Sequence, residues 1–299
     1  MTRSRVVLAA LALFLFASPV SAAKLKIVAS FSILGDIAAR IGGDRIEVRT
    51  LVGPDGDAHV FQPTPSDAKA VAQADVILLN GLRFEPWAER LIKSAAAKGV
   101  VVLVSQGVKP HPFKAEFGTS SATIDPHAWQ DLTNGQIYAR NIAVALAAAD
   151  KANDKFFRDN AAAYVAELSK LDGEVRADFA TIPENRRRVI TSHDAFGYFG
   201  AAYGIEFIAP LGMSTEDQAS AKGVARLIDQ IRAEHITAVF VENITDPRLI
   251  AQIARETGAQ LGGELFSDAL SKPAGPAATY TAMFRHNAEV LAAAMKVAR

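Results

Sequence analysis

The sequence predicts an α/β protein of two lobes, each a mainly parallel sheet flanked by helices, joined by one long helix. Three observations predict it. Short apolar strand signals alternate with helical ones from Lys26 to Val104, and again from Arg188 to Leu265. Between these stretches one apolar stripe runs from about Asp154 to Phe179 at helical spacing. The chain has 299 residues, half of them hydrophobic, which is enough for two domains of ordinary size. The expected division is 1–22, an export leader; 23–150, the first lobe; 151–183, the linking helix; and 184–299, the second lobe.

The elements follow in order. Lys26–Ser30 reads as a buried strand, Ile33–Ile41 as a helix and Ile46–Leu51 as the next strand. Pro65–Ala74 is helical, Val76–Asn80 a short strand, and Pro86–Lys98 a helix that Gly99 would cap. Val100–Val104 is a further strand. Lys109–Thr123, with Pro110, Pro112, Gly118 and a Thr-Ser-Ser run, reads as a loop, and helical character resumes at Leu132. Phe157, Ala161, Tyr164, Leu168, Leu171, Val175 and Phe179 then recur every three or four residues, one stripe on one helix. At about 1.5 Å per residue that helix is a rod of roughly 35 Å. Gly173 costs it about 1 kcal/mol against alanine, and Pro183 ends it. In the second lobe, strands at Arg188–Thr191, Glu206–Ile208, Thr237–Val241 and Gln260–Leu265 alternate with helices at Ala195–Tyr203, Ala221–Glu234 and Pro247–Thr257. Asp246 stands as N-cap of the last of these. Ala277–Val297 closes the chain as a helix. The two lobes look like rough copies of one another.

The N-terminus carries an address. Arg3 and Arg5 precede an apolar run from Val6 to Ala17, and small residues end it at Val20-Ser21-Ala22-Ala23, the order of a secretory signal peptide. The run is too short to span a bilayer comfortably. Cleavage after Ala22 would remove two of 32 basic residues and leave 30 against 32 acidic. A balanced charge of this kind gives no field to attract nucleic acid. Cysteine is absent, which excludes a disulfide scaffold, thiol catalysis and a thiolate metal site. It also removes the usual lipid-bearing residue at a processed terminus, so the expectation is a free periplasmic protein with no lipid anchor.

Six histidines are present: His59, His111, His127, His193, His235 and His286. His59 follows the second strand in Asp57-Ala58-His59-Val60-Phe61. His127 lies in Asp125-Pro126-His127-Ala128-Trp129, and His193 lies where a strand ends and a helix begins, in Thr191-Ser192-His193-Asp194-Ala195. All three sit near strand ends or helix entrances, the edge at which open α/β sheets bind ligands. Asp268, just past the last strand, is a fourth candidate of the same kind. Three imidazoles and a carboxylate suit a late divalent ion, and the carboxylate gives the charge compensation a buried cation needs. A lone loop histidine is ordinarily only a polar residue, and these three are too far apart for spacing alone to join them. His111 is expected to be solvated, His235 to sit at a helix C-terminus and His286 to lie on the surface. Trp129, Phe61, Phe196 and Phe199 read as core or cleft walls. Ser192-His193-Asp194 cannot form a triad from adjacent positions.

Taken together, DAHVFQPTPSD around His59, DPHAWQD around His127, TSHDAFGYF around His193 and ELFSDALS around Asp268 resemble the metal-binding solute-binding proteins of ABC importers, the ZnuA/TroA-like family (cluster A-I). VFVENITDP, after His235, also looks like a family segment. The resemblance covers essentially the whole mature chain in order. It implies two α/β lobes bridged by a long rigid helix, and metal held between them by His59, His127, His193 and Asp268. The implied partners are a membrane permease and its cytoplasmic ATPase, with a metallochaperone left open and a monomer expected. Many zinc members of the family carry a long loop rich in histidine and acid. Here Lys109–Thr123 holds only His111 and Glu116, which argues against an auxiliary zinc-gathering site. Some zinc members also have a disulfide that this chain cannot form.

Manganese and iron members of that family often have glutamate where this chain has His193. Three nitrogens favour Zn2+ over Mn2+, which prefers oxygen, so zinc is the expected metal and manganese (or iron) the alternative. Histidines must be neutral to bind, so affinity is expected to fall below about pH 6.5. Three competing readings are weaker. A zinc hydrolase needs an open position for water and a separate general base. An adhesin of the same fold would need surface display, and the expected lack of a lipid anchor argues against it. A binder of metal chelates would need a large basic or aromatic cleft. No enzymatic activity is expected.

Overall fold

The computed structural model describes residues 23–113, 124–216 and 219–297. The expected leader and most of the expected loop, residues 114–123, lie outside the described residues. The chain runs β1 (Leu25–Phe31), α1 (Ser32–Gly42), β2 (Ile46–Val52), α2 (Pro65–Gln73), β3 (Val76–Leu79), α3 (Ala88–Ser94), β4 (Val100–Leu103), α4 (Leu132–Ala149) and α5 (Asp154–Ala180). It continues through β5 (Arg188–Ile190), α6 (Gly197–Tyr203), β6 (Glu206–Ile208), α7 (Ala221–Ala233), β7 (Ala238–Glu242), α8 (Arg248–Thr257), β8 (Gln260–Leu265) and α9 (Tyr280–Val297).

The strands form two four-stranded sheets, ordered β2-β1-β3-β4 and β6-β5-β7-β8, with every pairing parallel. The second order repeats the first four places on, so the lobes share one topology. Central strands covered on both faces need continuous apolar runs rather than alternation. That is the character of β1, whose last five residues are buried, and of β3, which is buried throughout. The strand order reverses between β1 and β3 and between β5 and β7, and the crevice beyond such a point is where these sheets accept ligands.

The helices begin where local chemistry starts them. At α2, Thr64 Oγ1 accepts from the Asp67 amide while Asp67 accepts from the Thr64 amide, a capping box followed by proline at N1. Asp131 caps α4 by accepting the Thr133 amide, and Ser220 caps α7 by accepting the Gly223 amide. Along α5 the buried residues are Phe157, Ala161, Tyr164, Leu168, Leu171, Val175 and Phe179, the stripe read from the sequence. Each large apolar side chain so buried contributes about 1.5–3 kcal/mol, which fixes a 27-residue helix along its length.

One boundary differs for a physical reason. α3 ends at Ser94 rather than Lys98, because Ala96 takes a left-handed φ of 47° and breaks the helix. Gly99 is therefore not a cap. A Cβ there would lie 2.3 Å from the Ala74 carbonyl oxygen, so the glycine permits the close passage into β4.

The core is unequal between lobes. One continuous cluster fills the first lobe, takes in α5 and crosses into the inner side of the second through Phe196, Phe199, Phe240 and Phe284. The outer side of the second lobe has a separate, smaller cluster including Ile208, Leu227, Ile231 and Ile253. Among the described residues no helix is long and apolar enough to cross a membrane.

Candidate metal centre

His59 lies in the turn after β2. Its amide donates to Asp57 Oδ1 at 2.9 Å, Trp87 Nε1 holds the neighbouring Ala58 carbonyl at 2.8 Å, and Phe84 packs on its ring at 4.9 Å. His127 opens a short 3₁₀ turn. Asp125 Oδ1 accepts both its amide, at 2.9 Å, and its Nδ1, at 2.8 Å. A carboxylate can only accept, so Nδ1 carries the proton and the Nε2 lone pair faces the cleft. His193 follows β5. Glu242, at the end of β7, accepts the amides of Ser192 and His193 through Oε1, and its Oε2 lies 2.6 Å from His193 Nδ1.

Asp268 follows β8, yet groups from the first lobe fasten its segment. Trp129 Nε1 and Gln130 Nε2 both donate to the Ser267 carbonyl, at 2.8 and 2.7 Å. Ser32 Oγ accepts the Leu270 amide at 2.9 Å, and the Asp55 amide donates to the Leu270 carbonyl at 2.9 Å. Tyr280 extends this attachment: its amide donates to Asp36 at 2.8 Å, and its hydroxyl donates to the Trp129 carbonyl.

The four side chains meet. Asp268 Oδ2 lies 3.1 Å from His59 Nε2 and 3.2 Å from His193 Nε2, and Oδ1 lies 3.7 Å from His127 Nε2. One nitrogen or oxygen from each residue falls within 4.8 Å of the others. Donors about 2.0–2.1 Å from a tetrahedral ion stand about 3.4 Å apart, so these spacings suit a single ion. His127, His193 and Asp268 are fully buried and His59 is 8% exposed. Nε2 of His127, Nε2 of His193 and Oδ1 of Asp268 make no hydrogen bond despite their burial. Buried polar atoms seldom go without partners, and these point at one another across one small space.

The electrostatics favour a cation there. Burial disfavours a charge on His193, but the carboxylates of Glu242 and Asp268 outweigh it and raise its pKa well above the ordinary value. Burial likewise opposes the charge on Asp268, yet His127 and His193 hold its carboxyl far below the usual range. Without metal, the two carboxylates favour a proton on His193, which offsets one of their two charges. A divalent ion can replace it.

The other histidines lie apart. His111 is not solvated as expected. It is half-buried, its ring packs on Tyr198 at 5.3 Å and its amide donates to the Tyr198 hydroxyl, because here the chain lies against the other lobe's α6. His286 is half-buried rather than exposed and bonds the Glu264 carbonyl at 2.9 Å, since α9 lies against β8. His235 is exposed just beyond α7. Sequence reasoning missed the two orienting carboxylates. Asp125 had a local signal in its spacing of two from His127. Glu242, 49 residues from His193, had none beyond ending a strand.

The model of the family described as zinc-uptake complex component A, periplasmic (ZnuA), matches residues 27–294. Among curated relatives, the metal ABC transporter substrate-binding lipoprotein FimA of Streptococcus parasanguinis is 34% identical, over 90% of this chain and 88% of its own. The manganese ABC transporter substrate-binding lipoprotein PsaA of Streptococcus pneumoniae is 33% identical, over 91% and 89%. Among solved structures, the periplasmic zinc-binding protein TroA of Treponema pallidum superposes with a TM-score of 0.84 at 29% identity, covering 91% of this chain and 99% of its own. A manganese-bound periplasmic metal-binding protein from Candidatus Liberibacter asiaticus gives 0.81 at 31%, covering 91% and 100%.

These relatives correct one expectation. Curated proteins a third identical to this chain are named lipoproteins, so the expectation of no lipid anchor does not stand. It rested on a missing thiol, which bears on one attachment chemistry and not on whether a protein is held at a membrane. With the family model matching residues 27–294, with relatives a third identical over nine-tenths of the chain, and with the fold shared by the solved neighbours, this protein belongs to the ZnuA family.

Proposed function

We propose that the chain is the extracytoplasmic solute-binding component of an ABC importer, taking one divalent transition-metal ion as cargo at His59, His127, His193 and Asp268 and delivering it to a permease driven by an ATPase. The observation that carries this reading is the convergence of three imidazoles and one carboxylate, all buried, within 4.8 Å. Four protein donors around one centre leave no open position for a catalytic water, which favours binding over hydrolysis. One chain supplies all four donors, so a monomer suffices. The working division is a leader at 1–22, a first lobe at 23–150, a linking helix at 151–183 and a second lobe at 184–299.

Zinc is the preferred cargo, because three nitrogen donors suit it better than manganese. Manganese is the second reading, favoured by the relatives named for it and by the manganese-bound neighbour. The test is competition. Metal-stripped protein is offered equal Zn2+ and Mn2+, and both are counted by mass spectrometry beside an Asp268→Ala variant. One zinc per chain, lost in the variant, supports the proposal. Manganese retained against zinc changes the cargo and keeps the transport role, and no stoichiometric metal defeats both. Metal must displace the His193 proton, so affinity falls as pH drops. The raised pKa places the onset of that fall above the ordinary imidazole value of about 6.5.

A further inference from the structure

Gly197 stands at the first position of α6, four residues after His193, and its φ is not left-handed. Neither a turn nor a helix cap requires glycine at this position, and alanine is the better helix former. The space around it is another matter. A Cβ at Gly197 would lie 2.5 Å from Asp125 Oδ2, closer than real contacts allow, and 3.5 Å from His111 Nδ1. Asp125 belongs to the other lobe and is 2% exposed. Its second oxygen, Oδ1, holds both the amide and the ring of His127. The same seam carries the His111 amide to the Tyr198 hydroxyl at 2.9 Å, and the Asp125 amide to the His111 carbonyl at 3.0 Å.

The carboxylate that aims His127 is thus seated against bare backbone of the lobe that carries His193. The geometry points to Gly197 as a positioning residue for metal ligation: its missing side chain lets the second lobe close against Asp125 with His127 still aimed at the centre. A methyl group at 197 would act on the metal through Asp125 and His127, touching neither metal nor ligand. This inference rests on the metal-site reading above.

The prediction runs opposite to helix propensity. Gly197→Ala should leave the metal-free fold intact by circular dichroism, yet bind Zn2+ about 10–100-fold more weakly, the usual cost of disturbing a metal site's outer partners. With Co2+ in place of Zn2+, its visible spectrum should shift, because the ligand geometry around the ion changes. A merely structural glycine would not move that signature. Asp125→Ala supplies the second arm. With that carboxylate gone, adding Gly197→Ala should change Zn2+ affinity little further, the non-additivity expected of groups in contact.

Affinity and spectrum unchanged in Gly197→Ala would overturn the inference, as would a loss that persists in full when Asp125 is already alanine. If Gly197→Ala alone fails to fold, the inference requires Asp125→Ala to restore folding, and failure of that rescue overturns it. Absence of stoichiometric Zn2+ or Co2+ on the unsubstituted protein would defeat the metal reading itself and this inference with it, a result separable from every variant effect.

Discussion

The two lobes share a strand order and differ in almost everything that holds them. The first lobe is filled by a core continuous with α5 and with the inner wall of the second. The second keeps a small separate core on its outer side, beneath α7 and α8. The candidate ligands divide just as unequally. His59 and His127 sit on the first lobe, and hydrogen bonds from Trp129, Gln130, Ser32 and Asp55 bind the Asp268 segment to it as well. His193 is braced by the second lobe, chiefly by Glu242, while the Asp268 segment is held from both sides, since Asn287 and Asn243 of the second lobe hold Phe266 and Ala269. Chain order suggests two donors from each lobe; attachment leaves Asp268 shared between them. Topology alone therefore does not say which parts of a site move as a unit.

The strongest way to break this comparison is to exchange the anion for a methyl group. Asp268→Ala should abolish stoichiometric Zn2+ binding in calorimetry, because the buried cation loses its one anionic donor. Retained one-to-one binding would mean that the imidazoles suffice and that the fastening of the Asp268 segment has nothing to do with metal.

The cores come next. Leu168→Ala in α5 and Leu227→Ala in the outer cluster each remove a fully buried leucine, which costs about 2–5 kcal/mol. The first should lower the denaturation midpoint of the whole molecule. The second should chiefly speed hydrogen exchange in β6, α7 and α8, if that cluster opens on its own. Equal exchange throughout both variants would show one cooperative unit.

A pH effect sharpens the first lobe alone. Glu85, next to the Phe84 that packs on His59 and His127, is buried and accepts from Ser30 Oγ and the Asn80 amide, each at 2.6 Å. Burial pushes its pKa from 4.5 to about 7. At this group the folded protein binds more protons than the unfolded chain between those values, so the stability Glu85 contributes is full below pH 4.5 and is lost as pH rises through about 7. The loss is about 3 kcal/mol, and Glu85→Gln should flatten it in denaturant titrations at pH 5 and pH 7.5. An unchanged slope would assign the pH response to other groups.

The smallest expected effect compares the two braces. Glu242→Gln and Asp125→Asn should each weaken Zn2+ binding by about 10–100-fold. Glu242 should cost more, because it holds two amides and faces a ring nitrogen, and its lobe has the weaker core. A larger effect at Asp125 in competition titrations would reverse the ranking of the lobes.

Much of this architecture is legible in the sequence. The α5 stripe is, because seven apolar residues at helical spacing have one common face. The alternation of strands and helices is, because buried parallel strands leave continuous apolar runs such as Val76–Leu79. The four side chains that meet in the cleft were each marked by position near a strand end. Their meeting was not: the tie from Trp129 to Ser267 spans 138 residues, and that from Glu242 to His193 spans 49. Local pattern carries no information at that range. The helix forecast to Lys98 failed for the opposite reason, since one left-handed residue at Ala96 leaves no mark on an alanine-rich run.

The attachment of Tyr280 to Asp36 and Trp129 has a consequence for the order in which the molecule assembles. The contacts close 244 and 151 residues of intervening chain, and the helix they begin completes a core whose first strand is near the N-terminus. Contacts that distant form late and slowly. These ties form only once the last twenty residues of the chain are present, so closure of the core waits on them. The same long-range closure that fastens the Asp268 segment is therefore the last part of the site to be completed.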